Sequence, residues 1–259
     1  MNRSSSDEFS PDNNIKSLPN HVKEALDQGP AEPENGLTLA DTNELLRPGY
    51  LSLETGFTRL PNGQMYVAVL TKMPGAKGKM IDWWFGYAGD TEKYKMWHPK
   101  DHVVGEWDEK WRPGHYIGAS QLVHEYLGEE FMKLRITFHE PSEYFDISRF
   151  AEANVSAVIC ARVGYLDKPL DFVHLIHFVR DTDEGCEMRS RFWGGDIKFR
   201  NQFVGPLLDR ILNTRFMRKK LVKEQIGRDL TIHCAEEMNR LAGFLPDLYH
   251  KMTDPKTRR

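Results

Sequence analysis

Cysteine is scarce in this 259-residue sequence, and its scarcity narrows the chemistry that the chain can carry. Cys160, Cys186 and Cys234 are widely spaced and form no CxxC pair. An odd number of separated cysteines predicts neither a disulfide framework nor the paired thiolates of a zinc knuckle. We therefore expect a cytoplasmic protein.

Long apolar runs and a strong excess of one charge are also lacking. No uninterrupted apolar segment reaches the roughly 20 residues that span a bilayer. Residues 1–14 are rich in Ser, Asp and Asn and contain no apolar core of a secretory signal. The formal net charge of -3 provides no broad cationic surface for nucleic acid. The basic residues Arg215, Arg218, Lys219 and Lys220 fall within a helical pattern and indicate a solvated helix face. We expect neither a nucleic-acid nor a membrane partner.

Three familiar catalytic motifs do not occur: the GxSxG nucleophile elbow, the GxxxxGK[ST] phosphate loop and the HExxH helix.

The chain divides into a polar arm and one larger domain. Residues 1–45 are polar and interrupted by prolines, so we predict a partly disordered arm with one short helix over about 21–28. We predict the folded domain over residues 46–250. Apolar patterning predicts strands over residues 65–70, 114–128, 132–138, 155–163, 172–180 and 187–193, and a helix over 80–89.

The periodicity changes to that of a helix in the last third of the chain. From about 206 to 241, apolar residues follow helical spacing. We expect a kink or break at Gly227, and an end at Gly243 and Pro246. A run of antiparallel strands followed by one long helix indicates an α+β fold, in which a curved sheet is closed by the C-terminal helix. Such a fold leaves an internal cavity suited to a ligand.

The sharpest chemical signal is His-Cys-Ala-Glu-Glu at 233–237. On a helix, His233 and Glu237 are four residues apart and point from one face, which Leu230 and Leu241 share. A carboxylate on an apolar face needs a compensating cation or donor, and zinc accepts both imidazole and carboxylate ligands. The alternative for a lone HxxxE pair, and the more common one, is a hydrogen bond on the helix surface.

Two histidines four residues apart, His98 and His102, form a second cluster with Asp101, which could orient either imidazole. The alternative is a polar loop with exposed histidines. A third signal is Glu125, which shares a strand face with apolar neighbours and therefore needs a partner.

A fourth signal is a strand that carries two histidines, His174 and His177. Because their spacing is odd, they face opposite sides of a regular strand, and only one can point into the cavity.

Together these segments resemble the diacetylphloroglucinol hydrolase and phloretin hydrolase family, over about residues 80–240. The resemblance implies a helix-grip fold like that of the birch-pollen allergen, here with an N-terminal extension. The segments that carry the resemblance are Met-Ile-Asp-Trp-Trp-Phe (80–85), Tyr-Lys-Met-Trp-His-Pro-Lys-Asp-His (94–102), Val-His-Glu-Tyr-Leu-Gly (123–128), Gly-Cys-Glu-Met-Arg-Ser-Arg-Phe-Trp-Gly-Gly (185–195) and His-Cys-Ala-Glu-Glu (233–237).

The resemblance implies a zinc ion in the cavity, held by two histidines and two glutamates. His102 is preferred to His98 because Tyr94 lies eight residues before it, as in the family's tyrosine–histidine pair. Glu129 or Glu130 replaces Glu125 if the length of this hairpin differs from the family's. Carried over by position, the four ligands are His102, Glu125, His233 and Glu237.

The resemblance also implies catalytic and substrate-binding residues. His177, with His174 as the alternative, matches the family's additional catalytic histidine, and Tyr94 is the second candidate for proton transfer. Phe192 matches the family's hydrogen-bonding aromatic position. If the family has a tyrosine there, this sequence lacks that hydroxyl, and its substrate preference differs. Trp84 and His98 are further candidates for the substrate pocket, although tryptophans in such a segment more often pack in the core.

The implied reaction is hydrolysis of an aryl ketone, in which the bond between an acyl group and a phloroglucinol-type ring is cut. The implied partners are a small acylated polyphenol and a second copy of the chain in a homodimer. The alternatives are a non-catalytic carrier of polyphenols or lipids and a metal-free enzyme, such as a cyclase, on the same fold. A carrier has no need for the inward-facing Glu125 and Glu237, which favours the hydrolase.

Overall fold

An eight-stranded antiparallel sheet curls around the long C-terminal helix in the computed structural model, which describes residues 17–200 and 205–254. The strand order is β1-β2-β8-β7-β6-β5-β4-β3. The strands are β1 (Gly56–Arg59), β2 (Met65–Pro74), β3 (His102–Trp107), β4 (Ser120–Leu127), β5 (Glu130–His139), β6 (Val155–Tyr165), β7 (Leu170–Asp181) and β8 (Gly185–Phe199). The helices are α1 (Asn20–Gln28), α2 (Gly78–Tyr87), α3 (Thr91–Trp97), α4 (Gly205–Leu212), α5 (Arg215–Leu221) and α6 (Glu224–Thr253).

Helix α6 contacts β1 and β2 at one end of the strand order and β4 near the other end. A flat sheet could not offer both ends to one helix, so the sheet must be strongly curved. This architecture is a helix grip, and the predicted α+β fold class is confirmed. None of the helices in the described ranges is long and apolar enough to cross a membrane.

Both faces of the sheet are buried. On the concave face, Val67 and Val69 pack with α2 and α6. On the convex face, Tyr66 and Trp193 belong to a second apolar cluster, which includes Leu45 from the N-terminal segment. The central strands therefore carry apolar side chains on both sides, and their cores read as nearly continuous hydrophobic runs.

The segment that precedes residue 46, which the sequence analysis assigns to a polar arm, packs on the domain from residue 17 onward. Val22 and Leu26 of α1 are buried in the concave-side core, and residues 39–46 form a 3-10 helix over the convex face. Because this segment is mostly polar, its composition did not indicate that these few apolar side chains are buried. The arm's residues 1–16 lie outside the described residues.

The C-terminal helical region differs from the sequence-based prediction in two ways. It breaks before Thr214, whose hydroxyl caps α5, and again before α6, rather than at Gly227. Gly227 lies inside α6, where a Cβ would come within 2.8 Å of the Met65 sulfur, so glycine lets the helix approach the sheet. The predicted end at Gly243 and Pro246 is wrong: α6 continues to Thr253, because burial of Leu245 outweighs the hydrogen bond that proline removes.

The predicted strand over 114–128 begins only at Ser120. Gly114 and Gly118 adopt positive φ angles of 81° and 82° and form turns before it.

Candidate active site

A cavity of about 190 Å³ lies between the concave face of the sheet and α6. Most of its lining is apolar, as in ligand sites generally. A larger depression of about 470 Å³, by Arg47, Tyr50 and Arg180 on the convex side, contains none of the predicted site residues. The polar side chains that line the inner cavity are Tyr94, Gln121, Glu125, Glu130, Tyr165, His177, His233 and Glu237.

His102 begins β3 and is buried against Tyr94, whose ring stacks on the imidazole with centroids 3.7 Å apart. Its Nδ1 lies 2.8 Å from the Tyr94 carbonyl oxygen. Because a carbonyl can only accept, Nδ1 must carry the proton, and Nε2 keeps its lone pair. Nε2 lies 3.5 Å from Oε1 of Glu237 and 4.0 Å from Oε2 of Glu125. Burial holds the pKa of His102 well below its usual range, so the imidazole is neutral.

Glu125 lies opposite His102 in the register of β3 and β4. The hydroxyl of Tyr94 donates a hydrogen bond to its Oε2. Burial, and then the negative charge of Glu125, raise the pKa of Tyr94 well above the usual value, so the phenol remains a proton donor. Helix α3 therefore supplies a group that orients both the imidazole and the carboxylate.

His233 and Glu237 project from the same face of α6. Nδ1 of His233 lies 3.1 Å from Oδ2 of Asp101, so Nδ1–H donates to the carboxylate and Nε2 is left free. Burial opposes ionisation of Asp101, but the hydrogen bond from His233 lowers the pKa of Asp101 below its usual value. Burial raises the pKa of Glu237 to about 8, and the Glu125 carboxylate adds to this rise.

The four predicted metal ligands thus lie together. Ligand atoms of His102, Glu125 and His233 lie within 4.8 Å of one another, and Glu237 joins them through its 3.5 Å approach to His102. Burial opposes protonation of His233, but its hydrogen bond to Asp101 and the nearby carboxylates raise its pKa to about 9. Metal binding would displace the protons held by His233 and Glu237, and the resulting two neutral imidazoles and two carboxylates would place two uncompensated negative charges in a buried site. A dication satisfies that need, and the nitrogen and oxygen donors are ones that zinc accepts.

A second group of possible ligand atoms, from His98, Asp101 and His233, shares His233 with the first. Nδ1 of His98 accepts from the Asp101 backbone N–H at 3.1 Å, and its Nε2 lies 3.4 Å from Oε2 of Glu236. The ammonium of Lys100 lies 3.1 Å from the same Glu236 oxygen, and this positive charge disfavours a metal ion there. This group therefore fits a network that orients His233. His98 is fully buried in it and lies outside the cavity lining, contrary to its predicted place in the substrate pocket.

His177 and His174 lie on opposite faces of β7, as the odd spacing predicts. His177 lines the cavity and is buried; its Nδ1 lies 2.8 Å from Oγ of Ser190. Burial lowers the pKa of His177 to about 3. His174 faces the convex side, where its Nε2 lies 2.7 Å from Asp196 and its Nδ1 3.1 Å from the Tyr144 hydroxyl. The cavity position therefore belongs to His177.

Of the remaining predicted residues, Phe192 lines the cavity and Trp84 does not. Trp84 is fully buried against Trp97 and Phe244, and the adjacent Phe85 faces the cavity instead. Successive residues on a helix point about 100° apart, so one of such a pair turns away.

The two alternatives to Glu125 differ in position from it. Glu129 lies exposed in the turn that joins β4 and β5. Glu130 lines the cavity but is exposed as well. Neither belongs to the group of close ligand atoms among the described residues.

Sequence reasoning missed Gln121, which is buried in the cavity wall. Its signal was present in the sequence, because it lies two and four residues before Val123 and Glu125 and so shares their strand face.

A curved antiparallel sheet that grips a helix around a cavity with a buried two-histidine, two-glutamate cluster defines a helix-grip protein with a metal-type site. The profile of the DAPG hydrolase PhiG domain matches residues 37–250. The chain therefore belongs to the DAPG hydrolase family, and the resemblance stated from the sequence is confirmed.

Named relatives agree with this assignment. The chain is 29% identical over 245 residues to the 2,4-diacetylphloroglucinol hydrolase of Pseudomonas protegens, covering 89% of this chain and 79% of that protein. It is 26% identical over 248 residues to the phloretin hydrolase of Eubacterium ramulus, covering 88% of this chain and 84% of that protein. These relatives are hydrolases by name.

Solved structures are more distant. Ara h 8.0201 aligns over 70% of this chain and 99% of its own, with a TM-score of 0.40 and 7% identity. Norcoclaurine synthase from Thalictrum flavum aligns over 68% of this chain and 87% of its own, with a TM-score of 0.36 and 14% identity.

Proposed function

We propose that this protein hydrolyses the carbon–carbon bond between an acyl group and a phloroglucinol-type ring, with zinc held by His102, Glu125, His233 and Glu237. The observation that carries the proposal is the convergence of these four side chains beside an apolar cavity, which Glu125, His233 and Glu237 line and which His102 adjoins through its contact with Glu237. The relatives named for hydrolysis of diacetylphloroglucinol and phloretin support the reaction class.

A zinc ion in this cluster would supply Lewis-acid polarisation of a substrate oxygen. The protein's own residues prepare the site for it. The Tyr94 carbonyl and the Asp101 carboxylate each accept from an imidazole Nδ1–H, so both histidines present Nε2.

The substrate chemistry explains why ring hydroxyls matter. A hydroxyl beside the acyl group lets the ring adopt a keto tautomer with a proton on the acylated carbon. The acyl and ring carbonyls then form a β-diketone. Water adds to the acyl carbonyl, the ring–acyl bond breaks, and its electron pair passes to the ring as an enolate that is protonated to the phenol. The acyl group leaves as a carboxylic acid.

Two side chains of the cavity are suited to the proton transfers. Burial lowers the pKa of His177 to about 3, so its imidazole is neutral and has a lone pair to accept a proton. The same burial makes it a weak base, and negative charge that develops on the bound substrate would strengthen it. Tyr94 stays protonated and can donate, because burial and Glu125 raise its pKa. We assign them these complementary roles.

The apolar lining would also suit a non-catalytic carrier of a polyphenol or lipid. The buried Glu125 and Glu237 favour the hydrolase, since a carrier would bear the desolvation of two carboxylates without using them.

The decisive experiment is to incubate the zinc-loaded protein with monoacetylphloroglucinol and, separately, with phloretin, and to follow the products by chromatography. Release of phloroglucinol and the matching acid supports the proposal, and Glu237→Gln is the matched inactive control. Saturable binding of both compounds without any product would instead establish a carrier. Light scattering of the same sample tests the expected homodimer.

A further inference from the structure

Gln121 is a buried carboxamide in the wall of the cavity. It lies on β4 with its side chain on the same face as Glu125, and only 3% of the residue is exposed. Its backbone partner on β5 is Ile136 and its partner on β3 is Trp107. The adjoining wall is apolar, with Phe138 and Ile136 also lining the cavity.

The Gln121 carboxamide makes no side-chain hydrogen bond within residues 17–200 and 205–254, and its amide atoms are not fully enclosed, so their small accessible surface opens into the cavity. Among the other polar groups of the cavity wall, Tyr94 donates to Glu125, His177 pairs with Ser190 and His233 donates to Asp101. The indole Nε1–H of Trp97 is enclosed and has no partner among the described residues. Once a ligand fills the cavity, leaving the Gln121 amide unpaired would cost on the order of 1–3 kcal/mol. Because Gln121 lines the cavity, the partner that completes its hydrogen bonding can come from a ligand.

The position of Gln121 indicates which part of a ligand it meets. Four residues along a strand separate it from Glu125, or about 13 Å at roughly 3.3 Å per residue. The amide therefore serves a part of the ligand that lies away from the cluster of His102, Glu125, His233 and Glu237. An amide offers both donors and an acceptor, which matches a hydroxyl that can donate and accept.

Few other groups could fill this role. Phe192, on the opposite side of the cavity, has no hydroxyl. Glu130 is exposed and Tyr165 is only partly buried. Outside the ligand cluster and its partner Tyr94, the buried lining residues that carry polar atoms are Gln121, His177 and Trp97. The indole of Trp97 can only donate, and its Nε1 is enclosed rather than open to the cavity.

We propose that Gln121 is a specificity-determining residue that hydrogen-bonds the ring hydroxyl opposite the acyl group of an acylphloroglucinol. This inference rests on the proposed function, because it names the substrate group that the same site recognises. A site built to hydrogen-bond a hydroxyl discriminates strongly against an analogue that lacks it, since its buried polar group is then left unpaired.

The test uses two substrates, monoacetylphloroglucinol and 2,6-dihydroxyacetophenone, which lacks only the hydroxyl opposite the acyl group. We expect the wild-type kcat/KM to favour the trihydroxy substrate, and Gln121→Met to reduce that preference by about 10-fold or more. Loss on the dihydroxy substrate should be small. An unchanged preference in Gln121→Met, or an equal loss on both substrates, would overturn the proposal.

Gln64 offers a matched control, because it is a buried glutamine outside the cavity lining and its Oε1 accepts from Asn62 Nδ2 at 2.8 Å. Gln64→Met should lower the unfolding temperature and leave the substrate preference as it was. Gln121→Met should not lower the unfolding temperature, because it removes an amide that has no protein partner. If Gln121 instead stabilises the fold, Gln121→Met will lower the unfolding temperature as Gln64→Met does.

Binding measurements separate this inference from the proposed reaction. Phloroglucinol has three ring hydroxyls and resorcinol has two. Calorimetric titration of each into the same proteins therefore measures how much the third hydroxyl adds to the binding affinity, without any turnover. If the wild-type protein hydrolyses neither substrate, the proposed reaction fails. The role of Gln121 then stands if the wild-type preference for phloroglucinol is lost in Gln121→Met, and falls if the preference is absent or persists.

Discussion

Replacement of His177 by glutamine tests the central electrostatic feature of the cavity. Burial lowers the pKa of His177 to about 3, whereas an unfolded histidine titrates near 6.5. Below about pH 6.5 the imidazole binds a proton in the unfolded chain but not in the folded chain. The free energy of unfolding therefore falls as the pH falls toward 3. At about 1.36 kcal/mol per pH unit, the loss is about 3 kcal/mol at pH 4.5 and at most about 5 kcal/mol at pH 3.

The assay is urea unfolding of the metal-free protein at pH 7 and pH 4.5, in the presence of a chelator so that metal release does not contribute. His177→Gln should lose about 3 kcal/mol less than wild type between the two pH values. Other titrating groups contribute equally to both proteins and cancel in the difference. If the two proteins lose stability in parallel, His177 is not held neutral by burial and the reasoning is refuted.

The same variant tests catalysis, with His174→Gln as the matched control. His177→Gln should keep its zinc and its fold at pH 7 but lose on the order of a hundredfold or more in rate. His174→Gln should keep its rate and lose about 1–3 kcal/mol of stability, because it breaks the contacts with Asp196 and Tyr144 on the convex side. A fully active His177→Gln protein beside an inactive, zinc-loaded His174→Gln protein would transfer the catalytic role to His174.

Three further predictions concern the metal and the substrate. The purified protein should contain about one zinc per chain by elemental analysis, and absence of any stoichiometric transition metal after chelator-free preparation would refute the zinc site. His233→Ala and Glu237→Ala should each lose most of the metal and nearly all activity, because each removes a ligand from a buried cluster. Glu125→Ala should behave like them, whereas Glu129→Ala should retain zinc; the opposite pattern would move the ligand to the turn. An acylbenzene without flanking hydroxyls should not react, since its ring cannot form the keto tautomer, and equal turnover of hydroxylated and plain acylbenzenes would contradict the mechanism.

Local periodicity was sufficient to predict several relations within single elements. The alternation of a strand placed His174 and His177 on opposite faces, and the helical repeat placed His233 and Glu237 on one face. The succession of strands and a final helix was also enough to predict an α+β fold with a curved sheet closed by the C-terminal helix, whereas the helix-grip assignment came from the family resemblance. These relations hold because they depend only on the geometry of one strand or one helix.

Other features depended on what packs against each element. Periodicity placed His174 and His177 on opposite faces of β7 but could not say which residue faces the cavity. The family resemblance favoured His177, and the fold shows that His177 lines the cavity. Trp84 and His98 were misplaced for the same reason, because their directions are set by contacts with α6 and with Glu236. Helix α6 continues through Pro246 because burial of its apolar face in the core offsets the loss of the backbone hydrogen bond that proline cannot donate.

The amino-acid sequence by itself determined the strand and helix repeats, the family resemblance and the residue types of the candidate ligand cluster. Only the tertiary structure decided that residues 17–45 pack on the domain, and that Gln121 faces the cavity with no hydrogen-bond partner among the described residues. The physical reason is that burial and hydrogen bonding are properties of a side chain's surroundings. Those surroundings are assembled from segments far apart in the chain, and no local pattern records them.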